Sequence, residues 1–106
     1  MGTEKGVKLD TGKPRMDLFP LEVAESISKV LTFGAQKYTD NGWQHVPDAV
    51  KRYNAAMLRH LTAIDKGELY DEESGLPHIY HVGCCVSFLI YFFNRDEEFI
   101  LESISI

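Results

Sequence analysis

Three of the four histidines of this 106-residue chain, His60, His78 and His81, fall within 22 positions, interleaved with Glu68, Asp71 and Glu73. Imidazole and carboxylate are the two side-chain types that bind a divalent cation and pass protons near neutral pH. Mg²⁺ takes carboxylate oxygens, whereas Mn²⁺ and Zn²⁺ also accept imidazole nitrogen. Glu68, Asp71 and Glu73 with one or two of the imidazoles can build such a site. The alternative is a solvated acidic loop whose histidines cap helix ends. His78 and His81 lie at i and i+3, so on a helix their rings share a face.

Two further groups can do chemistry. Glu22 and Glu25 form an ExxE pair whose carboxylates can share a cation, although Lys29 could equally pair with Glu25 at the surface. Phe33 to Tyr38 followed by Asn41-Gly42-Trp43 combines a glycine that permits close approach, a phosphate-binding charge in Lys37, stacking rings in Tyr38 and Trp43, and a base-reading amide in Asn41. Together these suit a nucleotide; otherwise the two rings staple a loop to the core. Arg52 and Arg59 carry planar forks that grip phosphate or carboxylate, or form part of a solvated face. No GxGxxG, P-loop, GxSxG, HExxH or His-Asp dipeptide occurs.

The elements that must hold these groups are legible as helices. After Pro20, Val23, Ile27, Val30 and Leu31 recur at helical spacing, and the helix should end between Gly34 and Tyr38, before Thr39-Asp40-Asn41-Gly42. Asp48 is the expected N-cap of a second helix with a core stripe of Val50, Tyr53, Met57, Leu61 and Ile64, a basic stripe of Arg52, Arg59 and Lys66 opposite, and Gly67 as its stop. An acidic connection leads to Pro77, suited to a helix N1 position, and a third helix from about His78 to Asn94, apolar on nearly every face and therefore central. Residues 96–106 suit a helix or a swapped segment. Residues 1–20, rich in Gly and Pro and carrying Lys5, Lys8, Lys13 and Arg15, read as an extended basic arm before a single domain of residues 21–106.

Composition agrees with one soluble domain: 44% of residues are apolar and 25% charged. The net charge of −5 argues against a nucleic-acid polymer as partner. The longest apolar run, Val82–Phe93, is 12 residues, too short for a bilayer span of about 20. With no apolar leader at the N-terminus, the cytoplasm is expected. Cys84 and Cys85 are adjacent and read as buried small hydrophobes. The expected fold is all-α, a small helical bundle completed by oligomerisation, which would cover the apolar surface of the third helix.

The segments GKPRMDLFP (12–20), LTFGAQKY (31–38), NGW (41–43), RHL (59–61) and GELYDEESGLPHIYH (67–81) resemble those of small, mostly phage-encoded dATP/dGTP diphosphohydrolases, themselves similar to the MazG-like all-α nucleotide pyrophosphohydrolases. The resemblance covers residues 8–92. It implies hydrolysis of a purine deoxynucleoside triphosphate to monophosphate and pyrophosphate with Mg²⁺ or Mn²⁺, in a homo-oligomer, within an infected host's cytoplasm. The MazG-like metal pattern is ExxE on one helix and ExxD on a later one. Glu22 and Glu25 match the first by type, and Glu68 and Asp71 the second; were the second motif on the third helix, His78 and His81 would fill its places. By this carry-over Glu22, Glu25, Glu68, Asp71 and His81 are candidate metal ligands, and Glu73, His60 or His78 orients the water. Lys37, Arg59, Arg52, Lys13 and Arg15 would hold phosphate, and Tyr38, Asn41 and Trp43 the purine. The competing expectation is a non-catalytic helical module that binds a nucleotide or a host protein.

Overall fold

The computed structural model describes residues 6–98, and within them the fold is helical, without a named strand. A short 3₁₀ turn at Met16–Leu18 precedes α1 (Leu21–Lys37); a second, Gly42–His45, leads into α2 (Ala49–Asp65), and α3 spans His78–Phe93. Residues 6–22 are exposed throughout. The expectation for residues 96–106 falls mostly outside the described residues.

α3 lies between the other two helices, packing on α2 most extensively and on α1 along a second face. Its Cys84, Cys85 and Phe88 are buried, as its apolar composition predicts. The inward stripe of α1 is Ala24, Ile27, Val30 and Phe33, rotated from the expected one, so that Val23 and Leu31 are exposed. Among the described residues α1 packs mainly on α3, so its inward face stays narrow. The approach of α1 to α3 depends on Gly83, where a Cβ would stand 3.2 Å from Ile27 Cγ1. Such a contact is possible only if Ile27 gives way.

Helix α2 corrects the sequence reading at one informative position. Val50, Tyr53 and Met57 face inward as expected, but the next inward place belongs to His60, and Leu61 is 41% exposed. The stripe continues 50, 53, 57, 60, 64, a 3–4 spacing that a helix packed along one partner follows. A half-buried polar ring thus occupies an inward-facing position.

The caps also differ from expectation. Asp48 is the N-cap residue of α2 but has φ 54° and makes no side-chain capping bond; only its carbonyl enters the helix, accepting from Arg52 N at 3.0 Å. Pro77 is the N-cap of α3, one place earlier than the N1 position expected of it. Gly67 does end α2: at φ 89° it donates to Ile64 O, while Glu68 N reaches Ala63 O at 3.0 Å, the paired bonds of a Schellman motif.

Cys84 and Cys85 are 2% and 6% exposed, and burial pushes their thiols up to about 12 and about 11. The thiolate is the reactive form. Native protein is therefore expected to leave a chromogenic disulfide reagent unreacted at pH 8 and to release two equivalents of thiol only in denaturant; rapid labelling without denaturant would contradict this packing.

Candidate active site

The connection between α2 and α3 is folded, not loose. Tyr70 pairs with Pro77 in an isolated antiparallel bridge; Asp71 N donates to Leu76 O at 2.8 Å, and His78 N to Leu69 O at 2.9 Å. Gly75, at φ 72°, closes the turn and donates to Asp71 O at 2.8 Å. Glycine is suited to this left-handed conformation. The result is a tight loop that returns Asp71 toward the first turn of α3.

There the chemistry converges. His60 Nδ1 lies 2.9 Å from His78 Nδ1, and the His60 ring stacks on His81 with centroids 4.5 Å apart and planes 12° from parallel. His81 Nε2 is 2.7 Å from Ser74 Oγ and 3.8 Å from Asp71 Oδ2, which in turn accepts from Ser74 N at 2.8 Å. Among the described residues, one group places three metal-ligating atoms within 4.8 Å of one another: His60, Asp71 and His78. His78 is only 7% exposed.

Burial lowers the pKa of His60 and His81, with neighbouring imidazoles adding to the effect and Asp71 opposing it. Burial also works against ionisation of Asp71, but hydrogen bonds from Ser74 and the charges of the histidines outweigh it and hold the carboxyl below its usual range. Imidazole nitrogens beside a carboxylate oxygen are a donor set suited to a divalent cation.

The remaining candidates are distributed around this cluster. Lys37, at the end of α1, forms an ion pair of 2.5 Å with Glu73, and this hydrogen bond, together with Tyr38, raises the lysine's pKa. The pair ties α1 to the acidic loop. Beside it a groove of about 420 Å³ runs between α1 and the loop, lined by Glu25, Lys29, Phe33, Gln36, Ser74 and others. Tyr38 is 71% exposed, with Lys37 Nζ 5.2 Å from its ring centre. Asn41 is exposed at φ 58° and marks the turn into the second 3₁₀ segment.

Several candidates lie apart. Trp43 stacks on Phe88 at 4.2 Å and meets Tyr91 edge-on at 4.7 Å, so it packs in the core; the stacking surface expected for a purine is taken by Phe88. Glu68 and Arg59 border a separate depression with Lys66, and Glu68 is not in the converging triad. Glu22, Arg52 and Lys13 are exposed, and Arg15 is paired with Asp17 at 2.7 Å. Ser74, Gln36 and Phe33 were not among the expected site residues. Ser74 has a legible signal: an Asp three residues before a Ser, ahead of Gly, is the pattern of a side-chain-closed turn.

The chain is thus a small helical bundle with a histidine–carboxylate cluster at a loop–helix junction and a groove beside that loop. The family described as dATP/dGTP diphosphohydrolase, N-terminal, matches residues 3–101, and the chain belongs to it. A curated relative from Salmonella phage PMBT28, named dATP/dGTP diphosphohydrolase, is 32% identical over 90 residues, 85% of this chain and 30% of its own length. The chain thus spans about a third of that relative. No solved structure matches this chain. Among the described residues, no helix is long and apolar enough to cross a membrane.

Proposed function

We propose that this chain hydrolyses purine deoxynucleoside triphosphates, dGTP or dATP, to the monophosphate and pyrophosphate with the help of a divalent cation, Mg²⁺ or Mn²⁺. Family membership and the name of the phage relative support the reaction class. The observation that carries the reading in this chain is the convergence of His60, Asp71 and His78 beside a groove of nucleotide scale. Their donor set, two nitrogens and a carboxylate oxygen, suits a divalent cation. When bound, the cation would supply charge neutralisation for the triphosphate, the main requirement of phosphoryl transfer.

The chain's own groups take the other roles. Lys37, next in sequence to the groove-lining Gln36, offers its ammonium to phosphate; exchanging Glu73 for a phosphate oxygen would free that carboxylate to orient water. His81, in contact with Ser74 and stacked on His60, positions the ligand cluster. Phe33 and the exposed Tyr38 are the rings available to a purine. Self-association into a homo-oligomer is part of the same reading, supported by Ile79 and Ile90 on α3, which are 57% and 55% exposed.

Incubation with each of the four deoxynucleoside triphosphates, with Mg²⁺, Mn²⁺ or chelator, followed by chromatography, tests the proposal. Metal-dependent dGMP or dAMP with pyrophosphate is expected. No turnover of any nucleotide under any condition would overturn it in favour of a binding module.

A further inference from the structure

We propose that His60, His78 and Asp71 form a two-imidazole, one-carboxylate centre that takes a transition-metal dication of the Mn²⁺ to Zn²⁺ series in preference to Mg²⁺. The inference deepens the hydrolase reading by naming its ion and ligands, and it rests on that reading only for the ion's use; the binding itself is tested without nucleotide.

Spacing is the first argument. Two imidazole nitrogens bound to one ion at about 2.1 Å stand about 3.0–3.4 Å apart, whether the angle between them is a right angle or tetrahedral. The Nδ1 atoms of His60 and His78 are 2.9 Å apart, and one ring nitrogen of each histidine lies within 4.8 Å of a carboxylate oxygen of Asp71. Small rotations of the side chains would bring the three onto a common point. His60 is half-buried at an inward place of α2, where its ring already meets His78 Nδ1 and faces the loop that carries Asp71.

Donor chemistry is the second. Mg²⁺ prefers oxygen ligands, retains its waters and is held by one or two carboxylates with substrate phosphates. A majority-nitrogen set favours the later first-row ions, for which imidazole is a good ligand. Glu22, Glu25 and Glu68, which would supply an all-oxygen site, are not in the converging group. Three protein ligands also leave positions open, as in catalytic rather than structural sites.

Preorganisation is the third. Asp71 is held by Ser74 N, Ser74 Oγ contacts His81 Nε2, and the His81 ring lies flat on His60. His60 and Asp71 are thus oriented by groups that would not themselves bind the ion. The three ligands come from α2, the loop and the first turn of α3, so a bound ion would join all three segments.

The test is calorimetric titration of the chelator-treated full chain with Zn²⁺, Co²⁺, Mn²⁺ and Mg²⁺, together with the visible spectrum of the Co²⁺ form. One ion per chain is expected, with Mg²⁺ at least about 100-fold weaker than Zn²⁺ or Co²⁺. His60→Asn and Asp71→Asn should each weaken binding by about 100-fold or more, and the positioning variant His81→Asn by about 10-fold. The ion should raise Tm in the wild type and fail to do so in His60→Asn, with far-UV circular dichroism confirming that the variants are folded. Because selectivity is read on the wild type, it stands even if a variant fails to fold. Mg²⁺ binding as tight as Zn²⁺, undiminished binding by folded His60→Asn, or loss of binding on combining Glu22→Gln with Glu25→Gln would each overturn the assignment. Ion binding as proposed without nucleotide hydrolysis would overturn the hydrolase reading alone; hydrolysis with undiminished ion binding in His60→Asn would overturn this one alone.

Discussion

Asp71→Asn is expected to lower kcat for dGTP or dATP hydrolysis by about 10³-fold, roughly 4 kcal/mol of transition-state stabilisation, while the protein stays folded. The substitution removes the charge that completes the cation site but retains a carbonyl oxygen that can accept from Ser74 N, now 2.8 Å away. Its cost to stability should therefore be about 1 kcal/mol or less. A purely structural Asp71, needed only to close the turn before Gly75, makes the opposite forecast: a small drop in Tm and unchanged turnover. Initial-rate kinetics at saturating nucleotide and Mn²⁺, alongside thermal melts, separate the two. Full kcat in the variant would remove Asp71 from the reaction.

Trp43→Ala should produce the largest loss of stability from a single change. The ring stacks on Phe88 and sets its faces and edges against Tyr91 and Phe92. Truncating such a side chain costs about 3–5 kcal/mol. A domain of this size has about 5–15 kcal/mol in total, so Tm should fall by 12 °C or more, at about 4–8 °C per kcal/mol. Trp43→Phe should recover much of the loss. If Trp43 instead stacked on the purine, alanine would raise KM and leave the melting curve in place. Calorimetry with a KM measurement on the same variant decides between them.

Both forecasts turn on where a side chain points, and that is where sequence and tertiary structure part. Apolar spacing is a local property, so three helices with their approximate ends, the Gly67 stop and the burial of Cys84 and Cys85 follow from the chain alone. The concentration of imidazole and carboxylate between His60 and His81 is equally plain in one dimension. Helical periodicity, however, leaves two registers of α2 nearly equivalent, one turning Leu61 inward and the other His60. Only packing along α3 chose His60, because the contact line between two helices follows a 3–4 spacing.

Tertiary structure likewise decided which carboxylates meet the histidines. Glu22, Glu25, Glu68, Asp71 and Glu73 are alike by type, and ligand geometry depends on distances between segments far apart in sequence. The bridge from Tyr70 to Pro77 and the turn at Gly75 bring Asp71 back to His60 and His78, leaving Glu68 outside the group and Glu73 with Lys37. Trp43 was ambiguous for the same reason: an aromatic ring in a loop can face a ligand or a core, and the site it faces is formed by Phe88 and Tyr91, more than 40 residues away. Residue types and their local periodicity set the available chemistry and the helices that carry it. Which atoms share a site was decided by contacts between helices and by one folded loop, since those distances are properties of packing in three dimensions.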